Sequence, residues 1–117
     1  MQEPTFLILT ALATEPKHGY GVTQEVAELS DGMVTLRAGT LYGALDRLIE
    51  HGLIEVDRQE VVDGRLRRYY RLTDAGASRL AEQARRLRKH AEAAESRLRA
   101  RPGSAFAFTA RRFGALA

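Results

Sequence analysis

The stretch Arg37–Glu55, RAGTLYGALDRLIEHGLIE, decides how this chain folds. Leu41, Leu45 and Leu48 recur at steps of four and three, and Ile49 widens the stripe, so Gly39–His51 reads as a helix with one apolar face. Gly52 is placed to end that helix in a left-handed conformation, with His51 near the negative end of its dipole. The remaining residues have a different use. Thr40 and Tyr42 lie in the first turn, where unpaired N–H groups and the positive dipole end attract a phosphate. Gly39 and Gly43 carry no bulk, so the backbone can approach a neighbour closely. Arg47 can reach a phosphate or a guanine edge. Asp46 and Glu50 would repel phosphate, so they are expected on the far side or paired with Arg47.

Upstream, residues 4–14 (PTFLILTALAT) open with Pro4, a favoured first helical position, and carry Phe6, Leu9 and Leu12 near helical spacing. Leu7, Ile8 and Ala13 widen this stripe beyond what one core face needs, which leaves surface for a partner subunit. Pro16 and two glycines then interrupt. A second helix over about 18–30 points Val22, Val26 and Leu29 inward and Gln24, Glu25 and Glu28 outward. The connector to the third helix carries a turn at Asp31-Gly32 and a short extended piece near Val34–Leu36.

Downstream, LIEVDRQEVVDGRLRRYYRLT reads as two strands around Asp63-Gly64, a strong hairpin signal. A two-residue loop would pair Val62 with Arg65 and set Ile54 and Val56 on the face of Tyr69 and Arg71. A three-residue loop, Val62–Gly64, would set them beside Tyr70 and Leu72 and make one continuous apolar face, and is preferred. Thr73 or Asp74 then caps a helix running to about Ala100, closed by Pro102-Gly103. Its apolar positions Ala77, Leu80, Ala84, Leu87, Ala91, Ala94 and Leu98 advance by alternating threes and fours, an unbroken heptad seam. At ~1.5 Å per residue the helix reaches roughly 40 Å, more than so small a domain can cover, which favours self-association. The tail, with Phe106, Phe108, Phe113, Arg111 and Arg112, reads equally as a short amphipathic helix or a disordered segment.

A chain of 117 residues suits one small core, and oligomerisation often adds burial at this size. Cysteine is absent, which excludes disulfides, thiolate nucleophiles and Cys-ligated metals. The N-terminus has no basic leader and no stretch long enough to span a bilayer, so a soluble, cytoplasmic protein is expected. The net charge of +3 conceals two opposed halves. Residues 1–57 hold three Lys and Arg against nine Asp and Glu; residues 58–117 hold fifteen against six. An Arg-rich half suits a polyanion that touches only part of the surface. The three histidines, His18, His51 and His90, fall in three different elements, and no metal-ligand cluster or phosphate-cradling loop accompanies them. Catalysis, cofactors and metals are therefore not expected.

Three helices, a two-stranded hairpin and a long helix describe a mostly α chain with a winged helix-turn-helix (α-α-α-β-β), whose third helix enters a DNA major groove. The divisions are 1–73 for the DNA-binding domain, 74–101 for a dimerisation helix and 102–117 for the tail. The wing tip and return strand carry Arg65, Arg67, Arg68 and Arg71, suited to a phosphate backbone or a minor groove. The alternative is a winged-helix module that binds protein and not DNA.

Three motifs, HGYG at His18–Gly21, GTLYGALDRLIEHGLIE at Gly39–Glu55 and GRLRRYYRLTDAG at Gly64–Gly76, resemble the PadR family of transcriptional regulators over about residues 4–100. The single last helix is similar to the compact subgroup. That resemblance implies a homodimeric repressor whose C-terminal helices cross and which binds a palindromic double-stranded operator. Repression also suits a domain with little surface left to recruit polymerase. Tyr20, Thr40 and Tyr42 resemble phosphate-contacting positions, and Arg65, Arg67 and Arg68 resemble wing contacts; Arg37, Gly43 and Arg47 complete the expected DNA-binding set. Gly19, Gly39 and Gly64 look like backbone requirements, while Tyr42 and Tyr70 also fit partial core packing. The expected dimer residues are Phe6, Leu9, Leu80, Ala84, Leu87, Ala91, Ala94 and Leu98. The resemblance further implies a small aromatic or hydrophobic effector, in a pocket of Phe6, Leu9, Ala13, Leu87, Ala91 and Ala94. The last helix has no Trp, unlike members with an aromatic-sandwich pore, and the tail past Pro102 lies outside the shared pattern.

Overall fold

The computed structural model describes residues 1–103, so the expectations for the Phe/Arg tail concern residues outside those described. The elements are α1 (Glu3–Ala11), β1 (Lys17–His18), α2 (Gly19–Leu29), α3 (Ala38–Glu50), β2 (Ile54–Val62), β3 (Arg65–Leu72) and α4 (Asp74–Ala100). The chain divides into two compact units, Met1–Gln83 and Ala84–Ala117. The first unit thus extends past residue 73 into the opening turns of α4, because Gly76 is buried and Leu80 packs on the core.

The core of that unit is built from Ile8, Leu9 and Leu12 of the α1 region, Val22 and Val26 of α2, Leu41, Leu45 and Leu48 of α3, and Leu53, Ile54 and Tyr70 of the hairpin. Leu9 was expected at a subunit interface and in an effector pocket. It has no exposed surface in its own subunit and belongs to this core. Leu29 departs from the expected inward stripe and stays 45 % exposed. It is the last residue of α2, and the chain turns away just beyond it, with Asp31 and Gly32 both at positive φ (52° and 79°). Val34 and Leu36 pack against the core without forming a strand.

The added strand lies elsewhere. Lys17 and His18 pair antiparallel with Tyr70 and Tyr69, giving a three-stranded sheet of order β1-β3-β2. The hairpin loop has two residues and not the preferred three: Val62 pairs with Arg65, and Asp63 and Gly64 both take left-handed φ (52° and 74°), the signature of a primed turn. Even so, Ile54 lies opposite Leu72 and Val56 opposite Tyr70, the pairing foreseen for the longer loop. A bulge between Val56 and Arg58 reconciles the two, because the extra residue Asp57 shifts the register by one; Ile54 then enters the core beside Leu72, while Val56, opposite the buried Tyr70, stays exposed.

Thr73 begins α4 and joins it to the end of α3. Its hydroxyl accepts from the Gly76 N–H (3.0 Å) and donates to the Gly52 carbonyl (2.7 Å), while its own N–H donates to the Leu53 carbonyl (3.1 Å). Thr73→Val keeps the shape and removes both hydroxyl bonds, and should cost about 1–2 kcal/mol of stability. A urea midpoint indistinguishable from wild type would refute that role for the hydroxyl.

Candidate nucleic-acid interface

The outward surface of α3 starts from its N-terminus. The first internal bond runs from the Leu41 N–H to the Arg37 carbonyl (2.9 Å), and no side chain caps the amides before it. By contrast, α2 is capped by His18, whose Nδ1 accepts from the Gly21 N–H (3.2 Å), and α4 by Thr73. The exposed, uncapped first turn of α3 therefore keeps both its free donors and its positive dipole end for an anion.

Tyr42 holds this turn against α2. A Cβ on Gly19 would stand 2.6 Å from the Tyr42 hydroxyl and 3.3 Å from Leu41, so only glycine lets the ring lie there. Tyr42 keeps 47 % of its surface and Tyr20, in the first turn of α2, keeps 67 %. Both readings of Tyr42, packing and contact, are thus compatible with its position. Tyr70 is a core residue, only 2 % exposed. Burial pushes its hydroxyl above the usual phenol range, with smaller influences from Arg68, Tyr42 and Asp46.

A cleft of about 990 Å³ lies between these elements, lined by Tyr20 of α2, Tyr42 and Asp46 of α3, and Arg65, Arg67 and Arg68 of β3, with Leu66 and Tyr70 among its walls. The hairpin's arginines divide into two groups. Arg58 bonds Asp57 (3.1 Å) and Glu60 (2.9 Å) and stacks 3.9 Å over the Tyr69 ring. Arg71 donates through Nε to Glu55 (2.7 Å) and lies 3.6 Å from Asp57. Arg65, Arg67 and Arg68 are exposed and form no ion pair among the described residues. Ion-paired arginines thus sit toward the stem and arginines without an ion pair toward the tip, where a polyanion would gain most, although Glu60 lies across the strand pair from Arg67 and feels its charge. Arg37 and Arg47 are also exposed; the α3 backbone is open at Gly39, while at Gly43 the flexible Arg47 guanidinium lies 3.6 Å from where a Cβ would stand.

One expectation fails here. Asp46 neither turns away from this side nor pairs with Arg47; it lines the cleft among the arginines, with no ion pair among the described residues. At about 100° per residue, Gly39, Gly43, Asp46 and Glu50 share one line down the exposed face of α3. Helical spacing places Asp46 on this line, but only the packing of the hairpin brings the arginines opposite it.

His18 connects α2 to the wing. Its ring meets Tyr69 edge-on at 5.4 Å, and burial, then the nearby Arg67, lower its pKa below the ordinary 6.5. The folded state therefore holds the neutral ring, whose Nδ1 must stay unprotonated to cap α2. Unfolded chains bind the proton more readily, so this contribution is complete above about pH 6.5 and is lost as pH falls below it. His18→Asn keeps an acceptor that does not titrate. Wild type should lose stability relative to this variant between pH 7.5 and 5.5, by about 1 kcal/mol at most, in urea denaturation. Parallel curves would contradict the neutral cap.

Of the remaining expected interface residues, Phe6 is partly buried, Ala13 exposed, Leu80 and Ala84 partly buried, and Leu87, Ala91, Ala94 and Leu98 exposed in the single chain. Among the described residues no cluster of His, Cys, Asp and Glu is arranged to hold a metal, and no helix is long and apolar enough to cross a membrane.

Residues 8–82 match the Transcriptional regulator PadR-like family. Transcriptional regulator Rv3488 of Mycobacterium tuberculosis (strain ATCC 25618 / H37Rv) is 46 % identical over 80 residues, 68 % of this chain and 71 % of that protein. A PadR family transcription regulator from hypervirulent Clostridium difficile R20291 superposes with a TM-score of 0.71 at 27 % identity, covering 83 % of this chain and 99 % of that one. Bacillus subtilis PadR, solved in complex with operator DNA, shares the fold at a TM-score of 0.63 and 23 % identity, over 71 % of this chain and 48 % of its own. With the family pattern spanning most of the first unit and a regulator this similar beside it, the chain belongs to the PadR-like family, whose members are transcriptional regulators and not enzymes.

Proposed function

We propose that this chain is a homodimeric, sequence-specific double-stranded DNA-binding repressor that acts in the cytoplasm on a palindromic operator. One observation carries the reading: Tyr42 of α3 and the three unpaired arginines of β3 line one cleft, beside a helix N-terminus without a cap. The operator complex of the B. subtilis relative supports it. Dimerisation is assigned to the α4 seam of Leu80, Ala84, Leu87, Ala91, Ala94 and Leu98, with Phe6 contributing from α1. Release by a small hydrophobic or aromatic effector would use Phe6, Ala13, Leu87, Ala91 and Ala94, without the buried Leu9.

The test is footprinting on DNA upstream of the chain's own gene at two salt concentrations. If a dimer neutralises ~6 phosphates, log affinity should fall with log salt at a slope near −5. Salt-insensitive behaviour with no protected region would instead favour the protein-binding module. Sedimentation at micromolar concentration checks the dimer, and a monomer there would overturn the paired-operator reading.

A further inference from the structure

The outer line of α3 carries no side chain at Gly39, which lies open, or at Gly43, where the Arg47 guanidinium comes within 3.6 Å of a Cβ position, and Asp46 is the first residue on it with a side chain of its own. Thr40 and Arg47 lie on one shoulder of that line and Tyr42 on the other. A helix laid into a major groove meets phosphates with its shoulders and base edges with its centre. Asp46 is exposed, carries no ion pair among the described residues and faces a cleft also lined by Arg65, Arg67 and Arg68, with Asp63 of the hairpin turn as its other carboxylate. An unpaired carboxylate opposes phosphate binding, so a purely electrostatic interface would be better without it. It has one favourable use against DNA. A carboxylate only accepts hydrogen bonds, and in the major groove the donors are the exocyclic amines of cytosine and adenine.

We propose that Asp46 is a specificity-determining residue, accepting a hydrogen bond from a base exocyclic amine, cytosine N4 in the first instance, once in each operator half-site. This rests on the DNA-binding reading above. The shoulders anchor the helix by phosphate contacts, and the two glycines let it sit deep enough for a side chain as short as Asp to reach a base edge. The acidic group also acts against binding everywhere else, because a site without the matching amine leaves the carboxylate desolvated and unpaired.

The experiment is selection of binding sites from a randomised duplex pool by full-length wild type, Asp46→Ala and Asp46→Asn, with circular dichroism to verify folding. Wild type should prefer cytosine at one position per half-site by about tenfold or more. Asp46→Ala should lose the preference at that position only, and Asp46→Asn should move it toward adenine, which a carboxamide binds through N6 and N7. A wild-type adenine preference that disappears in Asp46→Ala would assign the contact to adenine N6 and still support the proposal. Identical base preferences in all three proteins, with affinity raised uniformly in Asp46→Ala, would overturn it while leaving the DNA-binding reading intact. Failure of wild type to select any sequence would overturn both.

Discussion

Arg67→Ala/Arg68→Ala should weaken DNA binding about a thousandfold near 0.15 M salt, at every sequence alike. Two guanidiniums per subunit make four in a dimer. Each phosphate neutralised releases close to one counterion, so the log–log salt slope should become less steep by about 3.6. Both side chains are exposed and carry no ion pair among the described residues, so their removal should leave the fold intact. Arg71 is the internal control. It lies on the same strand, yet Glu55 and Asp57 already hold it, so Arg71→Ala should change the slope little. Fluorescence anisotropy over a salt series separates the outcomes. A double variant with the wild-type slope would remove the wing from the interface.

Gly76→Ala should be the most destabilising small substitution in the first unit. Gly76 is buried in the first turn of α4, and an added Cβ would stand 2.7 Å from Leu72 Cδ1, 2.9 Å from the Leu53 carbonyl carbon and closer still to its oxygen. Neither Leu53 atom can swing aside as a side-chain tip could, and the same oxygen already accepts from Thr73. The helix start must therefore lift off the hairpin, at a cost of about 3 kcal/mol or more. For a domain of this size that lowers the melting temperature by roughly 10–20 °C in calorimetry. Gly39→Ala is the contrast: nothing lies within 4 Å of its Cβ, so it should gain up to ~1 kcal/mol of helix stability. Similar melting temperatures for Gly76→Ala and wild type would mean that α4 is not clamped at Leu53.

Much of this architecture is written locally. Leu41, Leu45 and Leu48 mark α3, Asp63-Gly64 marks the hairpin, and Thr73 marks the start of α4, each through a periodicity or a turn within a few residues. The arginine-rich return strand and the bare face of α3 are legible in the same way. Periodicity reports which side of an element is apolar, but not what covers it. Hence Leu9 looked as available to a partner as Phe6 until α1 was seen packed with Leu9 inside. A two-residue strand such as β1 is too short for any pattern, and the bulge at Asp57 appears only when β2 must satisfy both its turn and the core.

The amino-acid order alone determined the helices, the place of the hairpin though not its loop length, the excess of positive charge in the second half and the family pattern, because those follow from side-chain chemistry at short range. Only the tertiary structure decided which arginines remain free of ion pairs, that Gly76 admits no Cβ, and that Asp46 faces the cleft lined by Arg65, Arg67 and Arg68. The physical reason is common to all three. Charge pairing, steric exclusion and cleft lining depend on distances between residues far apart in the chain, and packing sets those distances.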